Sequence, residues 1–200
     1  MITIDGRQTE LAIANYANLE DLLVNIYEME DLQQRVITDV FVNNEQFKEL
    51  YPHQAEDIEV DEVESVEIRS VTTSEMALSI STELDKVLNI LQFSAQKISS
   101  LFRDFENDEA SLILVDTINV IRDFMAMLGV LRSEFVDDID LEFVKNVETL
   151  SGLLVEITES MENKDWYLLS DLFEYEFIPL CDSWRSVLDN IRSNISKKIQ

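Results

Sequence analysis

The sequence predicts an α+β protein, a small strand-containing unit over residues 1–73 followed by an all-α four-helix bundle over residues 74–200. Three observations carry that expectation. Up to Val71 the apolar residues alternate, as in Val66 and Ile68 set between Ser65, Glu67 and Arg69. From Glu75 they recur every three or four residues, as in Ile80, Leu84, Val87, Leu91, Ile98, Leu101 and Phe105. The first pattern suits a half-buried strand and the second one face of a helix. At the change itself, Thr72 and Glu75 have the spacing of a capping box, with no Pro or Gly between strand and helix, which predicts a tight join.

Met1 to Asp5 alternates and Gly6-Arg7 is a turn signal, so Gln8 to Ala14 is expected to return as the second strand of a hairpin. Asn18 is an N-cap candidate, with Asp21 three residues on and a stripe of Leu19, Leu22, Leu23 and Ile26 behind it. Val36, Thr38, Val40 and Val42 form a third alternating run, ended by Asn43-Asn44. A loop with Tyr51-Pro52-His53 and an acid-rich stretch leads to a last strand, Val63 to Val71. This order of hairpin, helix, strand, loop and strand resembles the β-grasp, or ubiquitin-like, fold over residues 1–73. Similar modules act as binding platforms, protein modifiers or sulfur carriers. The last two roles depend on a free C-terminal Gly-Gly. Here the final strand continues through Ser70-Val71-Thr72-Thr73, and glycine occurs only at positions 6, 129 and 152. The resemblance therefore implies a binding platform.

In the second unit the spacing predicts helices over about 74–105, 109–132, 139–162 and 164–198. Asn107 or Asp108 is the expected cap of the second, Asp137, Asp138 and Asp140 open the third, and Asn163 is the expected cap of the fourth. The second helix is apolar nearly all round, which predicts a central element or one that pairs across a two-fold axis in a homodimer. Pro179 predicts a kink or break near Phe177–Pro179. Gly129 and Gly152, inside helices, are expected at close helix contacts or frayed turns.

The composition constrains function more than any motif. The chain has 41 acids and 15 bases, a net charge of −26. Residues 1–75 hold 18 acids and 4 bases, and residues 76–200 hold 23 and 11, so both units are acidic. Such a field repels nucleic acid and anionic membrane, and attracts a basic protein. No apolar run is long enough to span a bilayer, MITIDGRQ lacks the pattern of a signal peptide, and Cys181 is the sole cysteine. Together these predict a cytoplasmic protein.

Catalytic constellations are missing at the level of residue counts. One histidine, His53, and one cysteine are too few for a di-iron bundle or a zinc site of His and Cys ligands. Three glycines do not make a phosphate-binding loop, and the acids of residues 56–67 lack the glycine of a calcium loop. Acids near Cys181 disfavour its thiolate. No cofactor or enzyme activity is expected. The densest unusual stretch is DWYLLSDLFEYEFIPLCDSW, residues 165–184, where aromatics and acids interleave around Pro179. Trp166, Tyr167, Asp171, Glu174, Tyr175, Glu176 and Trp184 are the candidate partner-binding residues, since Tyr and Trp anchor interfaces. The expected function is thus an acidic adaptor or chaperone-like module for a basic or amphipathic protein. Two alternatives are a carboxylate-based metal protein or enzyme using buried acids among Asp116, Asp123, Glu156 and Asp171, and a mimic of nucleic acid.

Overall fold

The sheet of the first unit is built where alternate apolar residues meet across strands. In the computed structural model, which describes residues 1–29, 32–48, 54–137 and 140–199, the strands are β1 (Ile2–Ile4), β2 (Arg7–Gln8), β3 (Arg35–Val42), β4 (Glu45–Gln46) and β5 (Val66–Thr72). They are ordered β2-β1-β5-β3-β4, with β1 and β5 parallel and the other neighbours antiparallel. Ile2 pairs with Val66, Val40 with Ile68 and Val42 with Val66, so one face is apolar. Helix α1 (Leu19–Tyr27) packs Leu19, Leu22, Leu23 and Ile26 into the same core. It starts at Asn18, whose Oδ1 accepts from the Asp21 N–H at 2.9 Å. The N-terminal unit is β-grasp-like and the chain as a whole is α+β.

The hairpin return is shorter than the alternation predicts. β2 ends at Gln8, and Ile13–Asn15 form a turn of 3₁₀ helix. β1 is three residues long, so beyond Thr9, whose N–H donates to Ile2 O at 3.0 Å, the returning chain finds no further ladder partner on it. β4 follows Asn43 and Asn44, both in the left-handed region at φ 53° and 67°, a turn that asparagine tolerates. The Tyr51-Pro52-His53 segment lies outside the described residues.

Asp5 ties three elements of this unit together. Its carboxylate accepts from Ser70 N–H (2.7 Å) and Ser70 Oγ (2.8 Å) and pairs with Arg35 (3.2 Å). Burial pushes its pKa up, but the Ser70 hydrogen bonds and the Arg35 charge outweigh it, leaving the pKa below the ordinary 3.8. The group's contribution is therefore full above pH 3.8 and lost as pH falls through the depressed folded value. Asp5→Asn is expected to cost the unit about 1 kcal/mol at pH 7. In chemical denaturation that difference from the parent should shrink on acidification below pH 4; an unchanged difference would contradict the linkage.

The second unit has its own core. Its helices are α2 (Thr73–Arg103), α3 (Asn107–Phe135), α4 (Leu141–Asn163) and a last rod in three parts: α5 (Trp166–Asp171), a π-helical segment Leu172–Phe177, and α6 (Ile178–Ile199). α2 opens on the capping box: Thr72 Oγ1 accepts from the Glu75 N–H at 3.1 Å, and the Glu75 carboxylate accepts from the Thr72 N–H at 2.8 Å. The hydrogen bonds that the Thr72 N–H and the Thr72 hydroxyl (2.9 Å) donate to that carboxylate lower the pKa of Glu75. Partner numbers fall along the last rod as they rise along α2, so the two run antiparallel. Arg192 donates to Ser81 O, Arg185 to Asn89 Oδ1, and Ser170 Oγ to Ser99 O.

Three expectations are corrected here. α3 is not enclosed: Leu112, Val115, Ile118, Met127 and Val130 are exposed, and only the Ala110, Leu114, Thr117, Ile121, Phe124, Leu128 side enters the core. Hydrophobic content alone does not say whether a neighbour covers a helix face. The side-chain caps also differ. α3 starts after Glu106 with no side-chain cap, and Asp165, not Asn163, caps α5 by accepting from the Leu168 N–H at 3.1 Å. Finally, Gly129 and Gly152 make no close contact, since a Cβ at either would meet no atom within 4 Å. Gly152→Ala, at an exposed mid-helix site, is accordingly expected to stabilise by about 0.5–1 kcal/mol in thermal or chemical denaturation.

Candidate protein-interaction surface

Two helix ends meet at the candidate surface. α2 terminates with Glu106 N–H bonded to Leu101 O (2.9 Å) and Phe105 N–H to Phe102 O (3.3 Å). α4 terminates in the same way, with Asp165 N–H on Ser160 O (2.9 Å) and Lys164 N–H on Met161 O (3.1 Å). Both are terminations that demand a residue in the left-handed region, the place usually taken by glycine. Phe105 takes it at φ 61° and Lys164 at φ 56°. A bulky aromatic in that conformation is strained, so its retention calls for a reason.

The Phe105 ring is 60% exposed and packs edge-to-face on Tyr167, also 60% exposed, with centroids 5.6 Å apart. Beneath them Trp166 is half-buried and stacks on Phe102 at 5.5 Å with the planes 7° apart. Acids surround the pair in sequence, Asp104, Glu106, Asp108 and Glu109 on one connection and Glu162 and Asp165 on the other. Phe105, Glu106, Asn107, Asp108 and Glu109 line a shallow depression of about 380 Å³.

Beside this end lies the π-helical turn. Pro179 has no N–H to give, and its ring crowds the preceding turn, so the helix widens before it and Ile178 N–H bonds back five residues to Phe173 O. Phe173 and Phe177 turn inward, edge-on at 5.6 Å, while Tyr175 stays 63% exposed and Glu176 faces outward. Arg103 reaches over from α2 to Asp171 (3.1 Å) and Glu174 (2.7 Å), and those partners with Tyr175 hold its guanidinium still more firmly protonated. Ser99 and Ser170, both buried, share a 2.9 Å hydrogen bond, and Ser99 Oγ also donates to Glu174 at 3.1 Å.

Residues 79–187, more than half of the 200, match the family model described as Domain of unknown function (DUF8042). The chain belongs to that family. Residues 1–71, which carry the β-grasp-like sheet, match a second model, Domain of unknown function (DUF8043). No curated protein and no solved structure matches the chain. The DUF8042 match spans Phe105, the π-helical turn and Trp184, so the whole candidate surface lies within it.

Six of the seven candidates fall on this end of the DUF8042 region. Trp166, Tyr167, Asp171, Glu174, Tyr175 and Glu176 all belong to α5 or the π-helical turn. Trp184 is corrected: it is 3% exposed, set edge-on to Phe124 and Phe143 in the core, and presents no surface to a partner. Phe105 is the residue that sequence reasoning placed only on a core stripe. Its one signal is an aromatic where the helix stops and glycine would be usual. The four carboxylates of the metal reading, Asp116, Asp123, Glu156 and Asp171, are all exposed. No group of three or more His, Cys, Asp or Glu converges on a metal-sized site among the described residues. Burial, and then Asp182, push the Cys181 thiol up to about 12, so it stays protonated at neutral pH. Among the described residues no helix is long and apolar enough to cross a membrane.

Proposed function

We propose that this protein is a non-enzymatic, cytoplasmic interaction module, adaptor or chaperone-like, that receives a basic amphipathic protein segment on the Phe105–Tyr167 end of its bundle. Phe105 carries the reading. A strained, exposed aromatic ring at a glycine position adds nothing to the helix end that glycine would not do better. Paired with Tyr167, with Asp104, Glu106 and Asp165 beside the two rings in sequence, it offers apolar surface, ring faces for cations and nearby carboxylates. Tyr175 and Glu176 extend the same chemistry along the π-helical turn.

The test uses a synthetic amphipathic helix of Lys and Leu as the probe, with a Glu and Leu helix as control. Fluorescence anisotropy with the full chain should give saturable binding at about 50 mM salt and at least tenfold weaker binding at about 500 mM. The Glu helix should not bind. Binding that ignores salt, equal binding of both helices, or full affinity in Tyr167→Ala would each overturn the proposal.

A further inference from the structure

The π-helical turn leaves one backbone acceptor without a donor. Ile178 N–H, which would reach Glu174 O in an α-helix, bonds to Phe173 O instead. The next N–H along would come from residue 179, and Pro179 has none. Among the described residues no donor reaches Glu174 O. The same turn moves the Glu174 side chain. Three and four residues back from buried Phe177, an α-helix would turn Glu174 and Phe173 inward. Here Phe173 and Leu172 are buried instead, and Glu174 is half-buried, meeting Ser99 and Arg103. Glu174 and Ile178, at the two ends of the missing bond, line a cleft of about 340 Å³ with Gln96, Ser100, Arg103 and Asp104.

The cleft favours a cation. Asp104 has no basic partner among the described residues, and its carboxylate accepts from Ser100 Oγ at 3.4 Å. Counting Asp171, which shares Arg103 with Glu174, three acids stand against one base. We infer that this cleft seats a lysine ammonium of the docked segment, which rests on the interaction surface proposed above. The open acceptors select lysine over arginine. A guanidinium gains most where a carboxylate takes its fork in two parallel bonds, and Asp171 and Glu174 already hold Arg103. What stays open is a carbonyl oxygen at Glu174, the Asp104 carboxylate, and the neutral side-chain oxygens of Gln96 and Ser100. Single acceptors on separate groups suit the three donors of a compact ammonium.

Fluorescence anisotropy of the full chain tests this with the Lys and Leu helix against an Arg and Leu helix of the same pattern. The parent should bind the lysine helix about threefold or more tightly than the arginine helix. Pro179→Ala supplies the missing N–H, so it should melt several degrees higher yet bind the lysine helix no better than the arginine helix. Asp104→Asn, at an exposed position, should also erase the preference with melting unchanged. Equal affinity of the parent for both helices, a preference for arginine, or a preference that survives either variant would overturn the inference and leave the docking surface in place. A Pro179→Ala chain that melts no higher would do the same, since Glu174 O would then not lack a donor in solution. Binding of neither helix to the parent would instead remove the docking surface, and the role of the cleft with it.

Discussion

Phe105→Gly and Phe105→Ala are expected to weaken binding of the Lys and Leu helix by the same factor, tenfold or more, yet to differ from each other in stability by about 1 kcal/mol. Both remove the exposed ring that meets Tyr167. Only alanine keeps the penalty of a Cβ at φ 61°, so glycine should be the more stable of the two by a few degrees in thermal melting. A purely structural role for the ring predicts a different result, with losses in stability and none in binding. Equal melting of the two variants would show that the left-handed conformation is not kept in solution. Intact binding in both would remove Phe105 from the surface.

Trp184→Ala should instead act on folding alone, at a cost of about 3–5 kcal/mol in chemical denaturation. The indole is edge-on to Phe124 at 6.3 Å and Phe143 at 5.7 Å, and it lines an internal void of only about 10 Å³ with Leu88, Ile121 and Phe177. There is little slack to absorb its removal, and neighbours on three helices lose contacts. Tyr167→Ala, by comparison, should cost under about 1 kcal/mol, because most of that ring already meets solvent. A small effect at Trp184 together with a large one at Tyr167 would reverse the assignment of core and surface.

Much of the architecture was legible because it rests on local chemistry. Asn18 with Asp21, and Thr72 with Glu75, satisfy free amides within one turn, so their spacing is enough to read them. The long helices follow from stripes that few breakers interrupt. β4 was not legible, since two polar residues, Glu45 and Gln46, have no period to read. Nor was the short return after Gln8, which is limited by the three-residue length of its neighbour. The site divides the same way. Trp184 shares a stripe with Phe177, Cys181, Leu188 and Ile191, a core spacing that its aromatic character outweighs in the choice of partner-binding candidates, whereas Tyr167 and Tyr175 fall outside that stripe. The exposure of α3 and the left-handed backbone at Phe105 depend on what neighbouring segments do, and no local pattern reports that.

The guanidinium of Arg103, held between Asp171 and Glu174, has one more consequence. It is an intramolecular competitor already seated on the carboxylates that an incoming cation would seek. Small cations and polyamines gain little by exchanging with a tethered charge. A ligand that brings apolar surface for the neighbouring rings along with its charge gains more than it displaces. On the proposed surface Arg103 would thereby act as a filter, favouring amphipathic segments over cations at large.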